Sequence, residues 1–293
     1  MTHLHVYAGH DDVVAMPVVR RIGPKDLLHA LELGVDDFKA MPSHLVFLGL
    51  IYPLCGFVLA YLTSQQNALQ LIFPLASGFA LVGPFAAIGL YEMSRRRELG
   101  QETSWKYALN VLRSPSIPAI GAVGLLLVAL FGAWLTAAQL LYNWLFGAEP
   151  PASYLGFLKT VLTTRHGWAL IGIGGFVGFL FAVASLSVSV VSFPLLLDRD
   201  TGAAAAVATS VRAVRENIVT MALWGFIVAA ALIFGALPFF IGLVVVVPIL
   251  GHATWHLYRA VVVRDPAQEH PVELPPKAPV IPMEPRSVIF PWR

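Results

Sequence analysis

The chain has 293 residues, of which 57% are hydrophobic and only 12% charged, with a net charge of +2. Soluble domains carry about 25% charged residues, so this composition cannot cover a water-facing surface, and lipid must solvate much of the chain. The small net charge excludes a nucleic-acid footprint, and a single cysteine, Cys55, excludes an intrachain disulfide and cysteine-built metal or iron–sulfur sites.

Residues 1–23 read as a flexible cytoplasmic arm. They contain His3, His5 and His10 beside Asp11 and Asp12, with no apolar core of a cleavable signal peptide. A membrane domain follows over residues 24–262. It opens with an amphipathic helix on which Leu27, Leu28, Leu31, Val35 and Phe38 share one face, opposite Asp26, Glu32, Asp36 and Asp37. A membrane span needs about 20 apolar residues, and the first candidate is Leu45–Thr63, followed by Leu69–Met93.

The second unit repeats this plan. An amphipathic stretch with Trp105, Ala108, Leu109 and Leu112 on one face precedes Ile117–Phe146. The outer connection 147–166 holds Tyr154, Leu155, Phe157, Leu158 and Val161, which predict another surface helix, and Trp168–Leu197 returns. The third unit has Val207, Val211 and Val214 on one face, then Ile218 to about Gly235 and about Pro238 to Tyr258, with a turn expected at Gly235–Pro238. Each returning span contains a proline (Pro84, Pro194, Pro248), followed by a polar residue: Glu92, Asp198 or His252. The predicted fold is all-α and polytopic: six transmembrane helices in three related hairpin units, each led by a short amphipathic helix at the cytoplasmic interface. Residues 263–293 form a proline-rich tail expected to be extended.

Basic residues give the orientation. Seventeen of the 19 Lys and Arg flank the spans on one side, and only Lys159 and Arg165 lie on the other. The positive-inside rule then puts both termini in the cytoplasm.

Few polar positions remain as candidates. Glu92, Asp198, His252 and His256 lie near the inner ends of their spans and form the candidate polar site, because ionisable groups in a membrane are functional candidates. His252 and His256, one turn apart, are candidate metal or haem ligands, although two imidazoles make an incomplete set. Glu92 can pair with Arg96 one turn on, and Asp198 and Asp200 can cap the next helix. Arg95, Arg96 and Arg97 are expected to anchor topology and to meet anionic lipids. Gly178, Ala182, Ser185, Ser189 and Ser192 form a small-residue seam for close helix approach, with hydroxyls able to bond across. Phe290 and Trp292 in the tail are expected to dock on a partner. No P-loop, nucleophile elbow, HExxH or dinucleotide fingerprint occurs in the sequence.

Several runs carry a resemblance: Arg20–Pro24, Phe73–Phe79, Gly83–Glu92, Ser192–Asp200 and Gly251–Arg259. They resemble an uncharacterised family of proteobacterial integral membrane proteins, domain of unknown function 2189, over about residues 20 to 262. The resemblance implies a bacterial inner-membrane protein and no established activity. The expected function is therefore non-catalytic: an accessory, assembly or scaffold subunit that binds other membrane-protein subunits and anionic lipids, with no resident cofactor. The alternatives are a permease for a small or lipid-like solute, and a haem- or metal-bearing accessory subunit of a redox complex.

Overall fold

The structure, a computed structural model, describes residues 16–41, 56, 69–104, 109–237 and 241–270, with the backbone alone for 69, 79–82, 86, 109 and 110. The expected first span, Leu45–Thr63, apart from Gly56, the residues Trp105 and Ala108, and the tail residues Phe290 and Trp292 lie outside the described residues.

All the regular elements described are helical. They are α1 (Pro24–Ala40), α2 (Ile72–Ala86), α3 (Ile88–Glu98), α4 (Ile117–Phe146), α5 (Tyr154–Thr163), α6 (Arg165–Ser189), α7 (Ser192–Asp198), α8 (Ala203–Glu216), α9 (Ile218–Ala236) and α10 (Leu243–Val261). Four helical runs are long and apolar enough to cross a membrane: Ile72–Glu98, Ile117–Phe146, Arg165–Asp198 and Ile218–Ala236. These correspond to the second to fifth expected spans. The sixth becomes α10, which is 19 residues long but is not one of the four, because its last turns carry His252, Thr254, His256 and Arg259.

Local sequence explains the boundaries. At α1, Pro24 occupies the first turn, where its missing N–H costs nothing, and the Asp26 carboxylate accepts from the Gly23 N–H at 2.7 Å. A turn at Ala87, three residues after Pro84, divides the second span into α2 and α3. The α6–α7 break at Val190–Val191 is sealed by the Ser210 hydroxyl, which accepts from the Val191 N–H at 3.1 Å. Pro194 then sits in the first turn of α7, again without losing a helical bond. Ser153 caps α5 by accepting from the Gly156 N–H. Between α9 and α10 the chain reverses, and Pro238 of the expected turn lies outside the described residues. A Cβ at Gly242 would lie 2.8 Å from the Gly235 carbonyl oxygen, so this close backbone approach requires glycine at 242.

The core is concentrated at one end. The short α7 is its plug, with Phe193, Leu195 and Leu196 wholly buried among Ile120, Leu127, Met221, Trp224 and Trp255. Against this plug pack α3, α4, α8 and α10. Toward the other end the packing thins to a smaller cluster around Trp134 and Ala138, with an aromatic group of Tyr142, Phe146, Phe157 and His166 beneath α5.

Three expectations change. First, apart from Leu27, the residues of α1 and α8 that face the bundle are small or polar rather than the large apolar ones. Leu27, Ala30, Gly34 and Asp37 are buried against α10, while Leu28 is exposed and Leu31, Val35 and Phe38 are half-buried. Likewise Ala206, Thr209, Ser210 and Ala213 are buried, with Val207, Val211 and Val214 to one side. The second amphipathic stretch is represented by one 3-10 turn, Leu109–Arg113. Second, two of the seam serines bond back along the chain: Ser189 donates to Ser185 O at 2.7 Å within α6, and Ser192, at the start of α7, donates to Val188 O of α6. Third, the expected domain boundaries are tied down. Val19 bridges Val262, Arg20 N–H donates to Val261 O, and Asn217 accepts from the Ile22 N–H and donates to Arg20 O. Beyond 262 the chain folds back, with a second bridge from Arg199 to Glu269.

Candidate functional site

The last three turns of α10 project polar side chains toward two neighbours. His252 and His256, one turn apart, face α1 and α3. Tyr258 and Arg259 reach α7. The expected four-residue site accordingly separates into distinct networks.

The histidines converge on Asp37, which the sequence reading had left on the solvent side of α1. His256 Nε2 lies 2.9 Å from Asp37 Oδ2, the Ser94 hydroxyl donates to the same oxygen at 2.5 Å, and Arg97 Nη1 donates to Oδ1 at 2.5 Å. Ser94 Oγ is also 2.8 Å from His252 Nδ1. Ser94 has a single proton, committed to the carboxylate, so His252 must donate through Nδ1 and His256 through Nε2. Burial acts to raise the Asp37 pKa, but the hydrogen bonds from His256, Ser94 and Arg97 and the charge of His256 together hold it below the ordinary carboxylate value.

Asp198 anchors the second network. Wholly buried at the end of α7, it accepts from Tyr258 OH at 2.6 Å and takes a two-pronged grip from Arg259, at 2.8 and 3.0 Å. Arg199 Nε and Arg95 Nε stand 3.6 and 3.9 Å from its oxygens. Arg259 also donates to Glu98 at 3.0 Å and lies 4.7 Å over the Trp255 ring, whose indole N–H donates to the same Glu98. Asp198 and Asp200 were expected to cap α8, but Gly202 occupies that position without a side-chain bond.

Glu92 pairs with Arg96 at 3.6 Å, as its spacing predicted, and more closely with Arg95 at 3.3 Å. The three arginines diverge. Arg95 is buried between Glu92 and Asp198, Arg96 also donates to the Glu102 carbonyl, and Arg97 goes to Asp37.

The returning segment 263–270 closes this end. Arg199 donates to Val263 O at 2.6 Å, and His270 N–H donates to Asp198 O at 2.7 Å. Glu269 holds Arg264 and Arg259, and the guanidinium of Arg264 and the other cations keep its carboxyl below the ordinary value despite burial. The His270 ring sits 3.3 Å from the Ser116 hydroxyl at the start of α4.

His252 Nδ1 and His256 Nε2 are engaged by Ser94 and Asp37, and among the described residues no three His, Cys, Asp or Glu side chains are grouped as metal ligands. The geometry instead ties α1, α3, α7, α10 and the returning segment into one charged lattice. Sequence reasoning missed Asp37, Ser94, Glu98, Trp255, Tyr258, Glu269 and His270. For Asp37 a signal existed: it follows Ala30 and Gly34 at helical spacing, and small residues mark the face another helix approaches.

Residues 72–198 match a family model described as predicted integral membrane protein, domain of unknown function 2189, which is the family the sequence motifs resemble. No curated protein and no solved structure matches the chain.

Proposed function

We propose that this integral membrane protein is a non-catalytic, six-span accessory or scaffold subunit of the bacterial inner membrane, with both termini cytoplasmic, that binds other membrane-protein subunits. The observation that carries this reading is the outward face of α6. Only 6% of the apolar window in the Arg165–Asp198 run is buried, against 22 to 33% in the other three runs. On that face Gly172 and Gly175 have open space where a Cβ would be, and exposed Trp168, Phe176, Phe179 and Val183 flank them. Gly174 and Gly178, by contrast, pack inward on Leu141 and Trp134. A glycine recess bordered by aromatic side chains suits a second helix better than lipid alone, because it lets backbones approach closely. Exposed Arg21, Lys25, Lys39, Arg113 and Arg215 are available to anionic headgroups.

The permease reading rests on the repeated units and the proline-interrupted returning helices; the two carboxylates its test would alter, Glu92 and Asp198, are held by arginines.

The test is purification of the tagged chain in mild detergent, followed by mass spectrometry. Other membrane subunits are expected at stoichiometric yield, and a Gly172→Leu/Gly175→Leu variant should lose them several-fold while remaining monodisperse. Recovery of the unaltered chain only as a lone monomer overturns the reading.

A further inference from the structure

The returning segment after α10 is a strap that touches nearly every element at the polar end. Val263 N–H donates to Val18 O at 2.9 Å, and Arg199 both bridges Glu269 and donates to Val263 O. Glu269 bonds Arg264 and Arg259 across the Asp265–Gln268 turn. Its last described residue, His270, is fixed by its own N–H on the Asp198 carbonyl and by Arg95 Nη2 on its carbonyl at 3.3 Å.

The imidazole of His270 has an asymmetric setting. From α3 it faces the buried guanidinium of Arg95. From the start of α4 it faces the Ser116 hydroxyl, beside the positive end of that helix. From the end of α7 and the segment after it come Asp198, Asp200 and the Leu196 carbonyl, but Asp198 is already bound by Tyr258 and Arg259. Within the strap, Glu269 is bound by Arg264 and Arg259. Two of the neighbouring carboxylates, Asp198 and Glu269, are thus largely neutralised. Burial first, and then Arg95, push the imidazole below its ordinary pKa, and Asp200, Leu196 O and Asp198 offset this only in part.

We infer that His270 is a pH-sensitive latch: neutral, it holds the strap across the ends of α3, α4 and α7, and protonated, it releases the strap. The sign follows from linkage. The docked strap binds fewer protons than the free one, so docking is complete above the ordinary histidine pKa and weakens as pH falls through it. The weakening is at most about tenfold per pH unit for one proton. Release frees residues 263–270 and exposes Arg199 and the Asp198 carbonyl. A modest acidification at this surface would thereby uncover the polar end of the bundle.

Hydrogen exchange on the full chain in lipid nanodiscs tests the inference. After correction for intrinsic rates, the amides of Val263 and His270 should lose protection several-fold between pH 7.5 and 5.5, while those in the middle of α4 do not change. His270→Gln should stay protected at both values, and His270→Lys should be unprotected at both. Equal protection of the unaltered chain at the two pH values overturns the latch. So does a His270→Gln variant that loosens as the unaltered chain does, because His252 or His256 would then be the group that titrates.

Discussion

At the scale of single residues, the lattice turns on two carboxylates with more donors than one side chain usually attracts. Asp198 takes three direct hydrogen bonds from Tyr258 and Arg259 with Arg199 close by, all at a site with almost no solvent. Removing one partner from a buried ionic group leaves the others uncompensated, at a cost of about 3–5 kcal/mol. Asp198→Ala is accordingly expected to lower unfolding stability in detergent by that amount, and Asp198→Asn by less, because an amide oxygen still accepts. An alanine variant as stable as the unaltered chain would show that the network contributes nothing. Asp37 has a different role. Its partners Ser94, Arg97 and His256 come from two other helices, so it specifies where α1 sits more than it adds net stability, as buried polar groups do in some folds.

Among the elements, α1 and α8 show one design. Each presents mainly small residues to the bundle, with Leu27 of α1 the exception, and places most of its larger apolar side chains about a quarter-turn around. A helix at the membrane surface has two apolar neighbours, protein beneath and acyl chains beside it, and this arrangement serves both. The α1–α10 crossing is tight: a Cβ at Gly34 would lie 2.7 Å from both Cβ and N of Ala253. Overpacking of this kind costs about 1–3 kcal/mol. Gly34→Val should therefore lift α1 and break the Asp37–His256 contact. Faster amide exchange throughout α1, with α4 unaffected, is the expected readout, and unchanged protection of α1 would contradict the crossing as described.

Taken as a whole, the molecule is built unevenly. Its polar end is a dense core and ion-pair lattice, and its opposite end is a looser aromatic layer under α5. That polarity matches the basic residues among those described, with Lys39, Arg95, Arg97, Arg199 and Arg259 at the polar end and Lys159 and Arg165 at the other. In a Cys55→Ser background, Lys159→Cys should react with a membrane-impermeant thiol reagent in intact cells, and Lys39→Cys only after permeabilisation. The reverse pattern would invert the proposed orientation.

Sequence alone determined the solvent of this protein, its helical class and most of its helix limits. Those follow from local quantities: the length of apolar runs, proline and glycine positions, and capping side chains such as Asp26 and Ser153. It also singled out Glu92, Asp198, His252 and His256 as the polar positions near the span ends. The Glu92–Arg96 pair was legible in its spacing, but tertiary structure alone decided the partners of Asp198, His252 and His256. Asp37 is 215 residues from His252, and Glu269 meets Arg199 only because the chain returns after α10. A hydrogen bond is formed by whatever donor packing brings within about 3 Å, and no periodicity along the chain encodes that distance.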